Sequence, residues 1–447
     1  MALMRMLRRS FIKPLALRKT RLRAWFREGR IVNWLARARR RRMLSNTTFI
    51  GITGSCGKST TTTFAGAFLS TLGKCQAEVD LHPGLHGYAI LKLNAATRFC
   101  IHELDAPAPG ELAKQLSPLK PTIGVVTTIG GDHYKSYRSL EATAREKGLL
   151  IESLPETGVA ILNADDPNVL GMAARARARV VTYGCCEDAD LRATDISAVW
   201  PDRLSFTVTY RGQSARVETQ LLGEFWVTSI LAAMASALEC GVELKTCADV
   251  AKMTGPVFGR YSTHIRADGA AFVLDSNKAP VWTIPLGLAF IKSARAPRKT
   301  MIFGTLSDYS DKGSRVYRRT ARKALGVADR VIFVGTRAGH VEKLRQGLPP
   351  DQLLTFQTTF QASEYMSRTV SPGELVYIKG TIREHLERIM LSQLDQVVCW
   401  QEWCARLKPC IECSRYRIPW RAPFSVVAGA GNGANAPVAR EPNVKPL

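Results

Sequence analysis

The chain has 447 residues, of which 46% are hydrophobic and 22% are charged, a composition that predicts a globular protein of two or three domains. No run of about 18 apolar residues occurs, so no membrane span is predicted. The net charge of +24 is unevenly distributed along the chain, because residues 1–45 contain 15 Lys/Arg and only one acid, Glu28. Eleven cysteines without a credible secretory signal argue against a disulfide framework, and we expect a cytoplasmic protein.

Residues 1–45 form a basic N-terminal arm in which apolar patches recur at helical spacing among arginines. Arg8-Arg9 is similar to a twin-arginine export signal, but the apolar stretch of such a signal does not follow, so export is not expected. Because the basic arm also contains Trp25 and Trp34, two locations are open for it. It is either a helix on an anionic membrane surface, peripheral on the inner face, or a solvated helix docked on the body. Nucleic acid is not an expected partner.

The segment from Thr48 to Thr63 predicts a buried strand, a glycine turn and a helix that starts at Lys58. Glycines let successive backbone N–H groups of the turn point at a phosphate, and the helix N-terminus adds partial positive charge. Lys58 would reach the β- and γ-phosphates, and the Ser59 hydroxyl would ligate Mg²⁺. The turn departs from the strict P-loop, because Ile52 stands where that motif has its first glycine. We expect a nucleoside triphosphate to bind Gly54, Ser55, Cys56, Gly57, Lys58, Ser59 and Thr60.

Strand-like and helix-like runs alternate through the body of the chain, which predicts an α/β fold with mostly parallel sheets and helices on both faces. The first α/β unit spans residues 46–254, and the second spans residues 255–391. A cysteine-rich segment follows at 392–420. The low-complexity tail at 421–447 is predicted to be disordered.

Several polar side chains come at or after strand candidates, where the active sites of α/β proteins collect. Glu103 ends one strand candidate, His133 lies shortly after a second, and Asn163 directly follows a third. Lys147 lies in a predicted helix from Leu140 to Leu154. Each position alone is a weak signal, because an ordinary helix acid or a solvated lysine gives the same pattern.

Together and in this order, the motifs resemble those of the Mur ligase family, the ATP-dependent enzymes that build the bacterial cell-wall peptide. The resemblance runs from Thr48 to Arg388 and is greatest to the branch that adds D-alanyl-D-alanine to UDP-muramoyl tripeptide. It implies a P-loop Mur ligase central domain followed by a Rossmann-like Mur ligase C-terminal domain. The matching segments are 51–63, 103–110, 127–133, 139–147, 158–167, 221–223, 258–260, 275–280 and 377–380.

The resemblance also implies metal ligands. Ser59, Glu103 and His133 would hold Mg²⁺, for which oxygen and imidazole donors are suited. Lys147 matches the position at which the family carries a carbamoylated lysine. Carbamoylation gives the side chain a carboxylate-like end that can hold a second Mg²⁺.

Nucleotide contacts follow from the same resemblance. Arg260 would steady the γ-phosphate from the C-terminal domain, so that domain closure assembles the site. Asp275 would bond the ribose, and Asn163 would also contact the nucleotide. The catalytic residues that the resemblance implies are Lys58, Lys147, His133 and Arg260.

The implied activity is that of an ATP-dependent carboxylate–amine ligase. A carboxylate of the acceptor attacks the γ-phosphorus, and an amine then displaces phosphate from the acyl phosphate to form an amide. Two alternatives stay open. One is a polyglutamate- or cyanophycin-like polymer ligase, and the other is a non-catalytic nucleotide-binding protein that acts at a membrane or polyanion.

The chain departs from the family at three places. About 50 residues precede the P-loop, which predicts that the N-terminal UDP-sugar domain of the peptidoglycan enzymes is lacking. Residues 225–229 read Phe-Trp-Val-Thr-Ser where the family has His-Asn-x-x-Asn, so we expect a different adenine pocket in which Trp226 stacks. After Asp275, the family's motif is altered and places Lys278 on the substrate side.

Four cysteines lie within 15 residues near the C-terminus: Cys399, Cys404, Cys410 and Cys413. The last two form a Cys-x-x-Cys pair, which is a common half-site for Zn²⁺. The first pair is more widely spaced than in most such sites. A structural zinc site and a set of buried free thiols are therefore both open.

Overall fold

The apolar runs of the first half of the chain become the buried central strands of a nine-stranded sheet. The structure, a computed structural model, describes residues 30–416. The strand order is β2-β3-β1-β4-β5-β6-β7-β8-β9, parallel up to the β6–β7 pair and antiparallel for the last two pairs. The strands are β1 (Thr48–Thr53), β2 (Cys75–Glu78), β3 (Phe99–Glu103), β4 (Ile123–Val126), β5 (Val159–Asn163), β6 (Arg179–Gly184), β7 (Leu191–Ser197), β8 (Ser205–Tyr210) and β9 (Gln213–Glu218).

Helices follow most of the parallel strands, as a parallel sheet requires for its crossovers. The helix after the glycine turn packs against a long apolar helix that is rich in alanine and almost wholly buried. The helices are α1 (Arg30–Met43), α2 (Lys58–Leu69), α3 (His86–Lys92), α4 (Glu111–Leu119), α5 (Tyr134–Tyr137), α6 (Leu140–Glu152), α7 (Pro167–Leu170), α8 (Val227–Leu238) and α9 (Leu244–Met253). Short 3₁₀ turns occupy Pro83–Leu85, Gly171–Arg175 and Glu224–Trp226.

A second sheet of six strands has the order β10-β11-β15-β12-β13-β14 and is parallel except for the β10–β11 pair. Its strands are β10 (Ser262–Ile265), β11 (Ala271–Asp275), β12 (Lys299–Phe303), β13 (Arg330–Val334), β14 (Leu353–Phe356) and β15 (Leu375–Lys379). Its helices are α10 (Ile284–Ser293), α11 (Gly313–Leu325), α12 (Thr359–Thr369) and α13 (Glu387–Leu391), with 3₁₀ turns at Val281–Thr283, Ala338–Arg345 and Cys410–Glu412. The predicted α/β class is confirmed.

One continuous apolar core joins the two sheets, because buried side chains of both belong to a single cluster. Aromatic rings carry the contact across the junction. Tyr261 meets Phe225 at a ring-centroid distance of 4.8 Å on one side and Tyr377 at 5.4 Å on the other. This packing fixes the cleft between the sheets, where the candidate site lies.

Helix α1 docks on the nine-stranded half through its buried side. Ala36 is buried, as is Leu44 directly after the helix. Arg37 Nη1 donates to Ser117 Oγ at 2.9 Å, and the Arg40 guanidinium lies 4.3 Å from the centre of the Phe49 ring. The opposite side leaves Trp34 exposed. Docking is thus observed for this part of the arm, whereas the arm before residue 30 lies outside the described residues. Between residues 30 and 416, no helix is long and apolar enough to cross a membrane.

The cysteine-rich segment corrects the predicted set of zinc ligands. Within residues 30–416, no three of the four sulfurs of Cys399, Cys404, Cys410 and Cys413 approach within 4.8 Å of one another. Backbone bonds hold the segment at separate places, because Cys399 N donates to Tyr416 O and Cys404 N donates to Arg383 O. Four thiolates around one ion are therefore not assembled. The predicted disordered tail, 421–447, lies outside the described residues.

Candidate active site

The turn between β1 and α2 adopts a conformation that glycine alone accepts at two positions. Gly54 has φ +147° and Gly57 has φ +84°, and a Cβ atom on Gly54 would lie 1.9 Å from Thr127 Oγ1. The Ser55 backbone N–H donates to Thr128 O at 2.7 Å, which fastens the turn to the end of β4. Helix α2 begins directly after the turn. Its N-terminus and the turn line one side of a cleft, an arrangement that suits a phosphate.

Two buried lysines share one carbonyl below the turn. Lys58 Nζ donates to Gly54 O at 2.9 Å, and Lys147 Nζ donates to the same oxygen at 3.0 Å. Burial lowers the pKa of Lys58, but the nearby carboxylates, led by Asp105 at 3.4 Å, outweigh burial and raise that pKa. For Lys147, burial and then the charge of Lys58 lower the pKa to about 8. Lys58 is therefore firmly cationic, whereas Lys147 loses its proton far more readily.

Two of the predicted Mg²⁺ ligands meet at the start of α2. Ser59 Oγ donates to Glu103 Oε2 at 2.6 Å, and the backbone N–H of Asp80 donates to the same carboxylate oxygen at 3.1 Å. Both side chains are buried. The carboxylate of Glu103 therefore lies at the end of β3, beside the phosphate turn.

His133 lies with two carboxylates instead of with Ser59. Asp105, Asp132 and His133 each bring one ligand-type atom within 4.8 Å of the other two. His133 Nε2, Asp105 Oδ1 and Asp132 Oδ2 are buried without a hydrogen-bond partner. Burial raises the pKa of Asp105, but Lys58 and further neighbours outweigh it and hold that pKa below its usual range. Asp105 is therefore ionised, and the three side chains together keep ligand-type atoms that make no hydrogen bond.

The second sheet contributes cations and one acid to the same cleft. Arg260 Nη2 donates to both carboxylate oxygens of Asp80, at 2.9 and 3.0 Å. Asp275 ends β11, and its Oδ2 accepts from Lys379 Nζ at 2.6 Å and from Tyr377 OH at 2.8 Å. Arg260 and Asp275, both predicted from the sequence, thus line the cleft together with Lys58 and the turn.

Lys278 bridges the two halves of the cleft. Its half-exposed ammonium lies 3.9 Å from Asp105 Oδ2, which belongs to the first sheet. Asp105 therefore faces Lys58 from one side and Lys278 from the other. The predicted position of Lys278 on the cleft wall is consistent with a contact to an anionic substrate.

A neighbouring cavity of about 470 Å³ shares Cys56 and Gly57 with the cleft. Asn163 lies on its wall, where its Nδ2 donates to Thr127 O at 2.9 Å. Trp226 and Trp282 line the same cavity, and both indole N–H groups are buried without an acceptor. The cavity offers flat aromatic surface and two free donors.

Sequence reasoning missed Asp105, Asp132 and Lys379. Asp132 directly precedes His133, and Asp105 comes two residues after Glu103. The nearby predicted residues Glu103 and His133 could therefore have indicated both aspartates. Lys379 could not be found this way, because its role depends on the β11–β15 register that sets it opposite Asp275.

Residues 52–237 match the sequence profile of the Mur ligase middle domain. The UDP-N-acetylmuramoyl-tripeptide–D-alanyl-D-alanine ligase of Mycobacterium tuberculosis is 32% identical over 302 residues, which are 65% of this chain and 58% of that enzyme. The ligase of the same name from Mycobacterium leprae is 27% identical over 75% of this chain and 71% of its own. The match thus spans somewhat more than half of the first of these relatives.

Solved structures share the fold at lower identity. MurF from Acinetobacter baumannii superposes with a TM-score of 0.72 at 22% identity, over 82% of this chain and 80% of its own. MurF from Thermotoga maritima in complex with ADP gives a TM-score of 0.70 at 17% identity, over 81% and 82%. The resemblance inferred from the sequence is thereby confirmed: residues 52–237 carry a Mur ligase middle domain, and the chain shares its fold with MurF structures.

Proposed function

We propose that the chain is an ATP-dependent carboxylate–amine ligase that forms an amide through an acyl phosphate. The observation that carries this proposal is the cleft in which Lys58 and Glu103 of the first sheet face Arg260 of the second. Transfer of a γ-phosphoryl group to a carboxylate requires a phosphate-binding turn, an acid beside the turn and cations on the opposite side. The names of the relatives, all amide-forming ligases, support the same reaction class.

The donor set suits Mg²⁺. Ser59 and Glu103 offer oxygens beside the turn, and Asp105, Asp132 and His133 have buried ligand-type atoms that make no hydrogen bond. Hard oxygen donors are those that Mg²⁺ prefers. When bound, Mg²⁺ would neutralise charge on the phosphate oxygens during transfer. These five residues, which form two separate groups, are the ones that we expect to hold Mg²⁺.

Lysine and arginine side chains of the cleft would offset the negative charge that Mg²⁺ leaves. A carboxylate oxygen of the acceptor attacks the γ-phosphorus, and the bond to the ADP oxygen breaks. Lys58 and Arg260 offset the negative charge that the two anions bring together. Lys278, on the opposite wall, is placed to orient the attacking carboxylate. The amine then attacks the acyl carbon, loses a proton and displaces phosphate.

The adjoining cavity is proposed to take the adenine base. It shares Cys56 and Gly57 with the cleft, so a base there is continuous with phosphates on the turn. Trp226 and Trp282 supply aromatic surface and N–H donors in place of the amides that the family carries. Asn163 lies on the wall of this cavity, and Asp275 borders the cleft where a ribose would sit.

Carbamoylation of Lys147 is proposed because its amine is buried and easily deprotonated. Only a neutral amine reacts with carbon dioxide, and a pKa lowered to about 8 increases that fraction at neutral pH. We expect Lys147→Ala to lose most activity and short carboxylates such as acetate to restore part of it. Mass spectrometry of the intact protein checks the modification. An active alanine variant together with an unmodified lysine would contradict the assignment.

A polymer ligase of the polyglutamate or cyanophycin kind is the main alternative activity. The two reactions share the phosphate chemistry and differ in their products. A single amide bond per acceptor gives one new mass, whereas a polymerase gives a ladder of masses that differ by one residue. Mass spectra of the products formed with glutamate oligomers and with muramoyl peptides would separate them.

Peripheral membrane contact is proposed for the exposed side of α1. Ile31 and Trp34 are 48% and 57% exposed there, and the last turn adds the exposed cations Arg41 and Arg42. We expect vesicles with anionic lipid to capture the chain more strongly than neutral vesicles do. Trp34→Ser should weaken capture, whereas Met253→Ser, at an exposed position on α9, should not. Equal capture by both vesicle types would contradict the proposal.

A further inference from the structure

The C-terminal segment encloses a second cluster of ligand-type side chains, outside the cleft. A cavity of about 160 Å³ is lined by His385 and by all four clustered cysteines. The cysteines, Cys399, Cys404, Cys410 and Cys413, are free thiols. His385, Glu387 and Cys410 each bring one ligand-type atom within 4.8 Å of the other two.

His385 is held as a metal-binding histidine is held. Its Nδ1 lies 2.8 Å from Glu387 Oε1, and the same oxygen accepts the backbone N–H of Cys410 at 3.0 Å. Carboxylates that bond one ring nitrogen in this way orient the other nitrogen toward a metal. The other nitrogen, Nε2, is buried without a partner on a ring that is 1% exposed. A buried ring nitrogen without a partner is costly unless a ligand satisfies it.

Several cations face the cavity. Arg388 Nε donates to Cys410 Sγ at 3.2 Å, and Arg388 is itself buried. Arg406, Lys408 and Arg415 also line the cavity. Several thiolates around a dication leave net negative charge, which these cations offset.

The segment has almost no regular secondary structure. Between Val397 and Tyr416 the only regular element is the 3₁₀ turn Cys410–Glu412. Cys399, Cys404 and Cys410 are nevertheless buried. Short irregular segments with small cores are commonly fixed by a metal or by disulfides.

We propose that this cavity binds one soft divalent metal ion, Zn²⁺ in the first place, with His385 and Cys410 as its anchors. Two of the three other cysteines that line the cavity, Cys399, Cys404 and Cys413, complete a tetrahedral set of four ligands. The mixed nitrogen–sulfur set replaces the four-thiolate set, which the structure does not assemble, and is a usual one for structural zinc. This inference is independent of the proposed ligase activity.

The test is the metal content of the full chain purified without chelator. We expect about one equivalent of zinc per chain, and an intense sulfur-to-metal charge-transfer band when Co²⁺ replaces it. Chelation should expose the four clustered thiols to alkylation and leave ATP binding unchanged. His385→Gln and Cys410→Ser should each weaken zinc retention against a fixed chelator by about ten-fold or more. The double variant Cys185→Ser/Cys186→Ser is the matched control and should retain the metal.

The metal content of the wild-type chain tests the proposal even if a variant fails to fold. Failure to carry or take up Zn²⁺ or Co²⁺ would overturn the proposal. A disulfide between any two of the four cysteines in freshly purified protein would also overturn it. Full zinc retention in a folded His385→Gln protein would exclude the histidine as a ligand.

Discussion

Replacing Lys58 with alanine is expected to lower ATP turnover on the order of 10²-fold or more while the fold is retained. The Lys58 ammonium is buried, stays charged, and lies at the start of α2 beside the phosphate turn. Without it, the side of the cleft that carries the phosphate turn loses its firmly charged cation. The fold should survive, because Asp105 keeps Lys278 and His133 as neighbours.

The controls separate catalysis from folding. Lys245→Ala removes an exposed lysine from α9 and should leave turnover unchanged. Lys58→Arg is not expected to rescue activity, because a planar guanidinium cannot repeat the ammonium contact with Gly54 O at 2.9 Å. Steady-state ADP release and thermal unfolding are the measurements. Near-normal turnover in a folded Lys58→Ala protein would refute the phosphate-site assignment.

Replacing Glu103 with glutamine is expected to lower kcat on the order of 10²-fold and to raise the Mg²⁺ concentration that gives half-maximal rate. Glu103 accepts from Ser59 at 2.6 Å, and an amide in its place removes one negative oxygen from the metal. A metal that neutralises phosphate charge contributes several kcal/mol to the transition state, and about 1.4 kcal/mol corresponds to ten-fold in rate.

Mg²⁺ titrations of the variant and of a matched acid test this result. Glu111→Gln changes a carboxylate at the start of α4 that pairs with Lys114 outside the cleft, so its Mg²⁺ dependence should equal that of the wild type. An unchanged rate and Mg²⁺ dependence in Glu103→Gln would show that the carboxylate is not a ligand.

The fold was accessible from the sequence because its signals are local. The apolar run of β1, the glycine turn and the restart at Lys58 lie within a few residues of one another. The same holds for the ends of β3 and β5, where Glu103 and Asn163 stand. Strand-to-helix alternation then fixes a parallel sheet, since parallel strands need crossovers.

The rest of the site depends on contacts between distant parts of the chain. The Arg260–Asp80 pair joins residues 180 positions apart, and no local pattern marks Asp80 as a partner. Lys278 becomes relevant only when the second sheet brings it near Asp105. Residue types at single positions cannot report such distances.

In the C-terminal segment, too, the sequence pattern could not reveal a contact between separate parts of the chain. Cysteine spacing alone suggested four thiolates around zinc, yet the spacing contains nothing about His385, which precedes the cluster. Its proximity to Cys410 follows from the packing of α13 into an apolar cluster that also contains Cys410 and Tyr416. Spacing therefore indicated a candidate metal region but contained no signal for the histidine.

The ligase proposal is tested most directly by ADP release in the presence of ATP, Mg²⁺ and defined acid–amine pairs. The pairs are UDP-N-acetylmuramoyl tripeptide with D-alanyl-D-alanine, UDP-N-acetylmuramate with L-alanine, and glutamate oligomers with glutamate. We expect ADP release to need both an acid and an amine, with one amide formed per ADP and one labelled carboxylate oxygen recovered in the phosphate. Tight ATP binding without turnover for every pair, or ADP release that is independent of acid and amine, would contradict it.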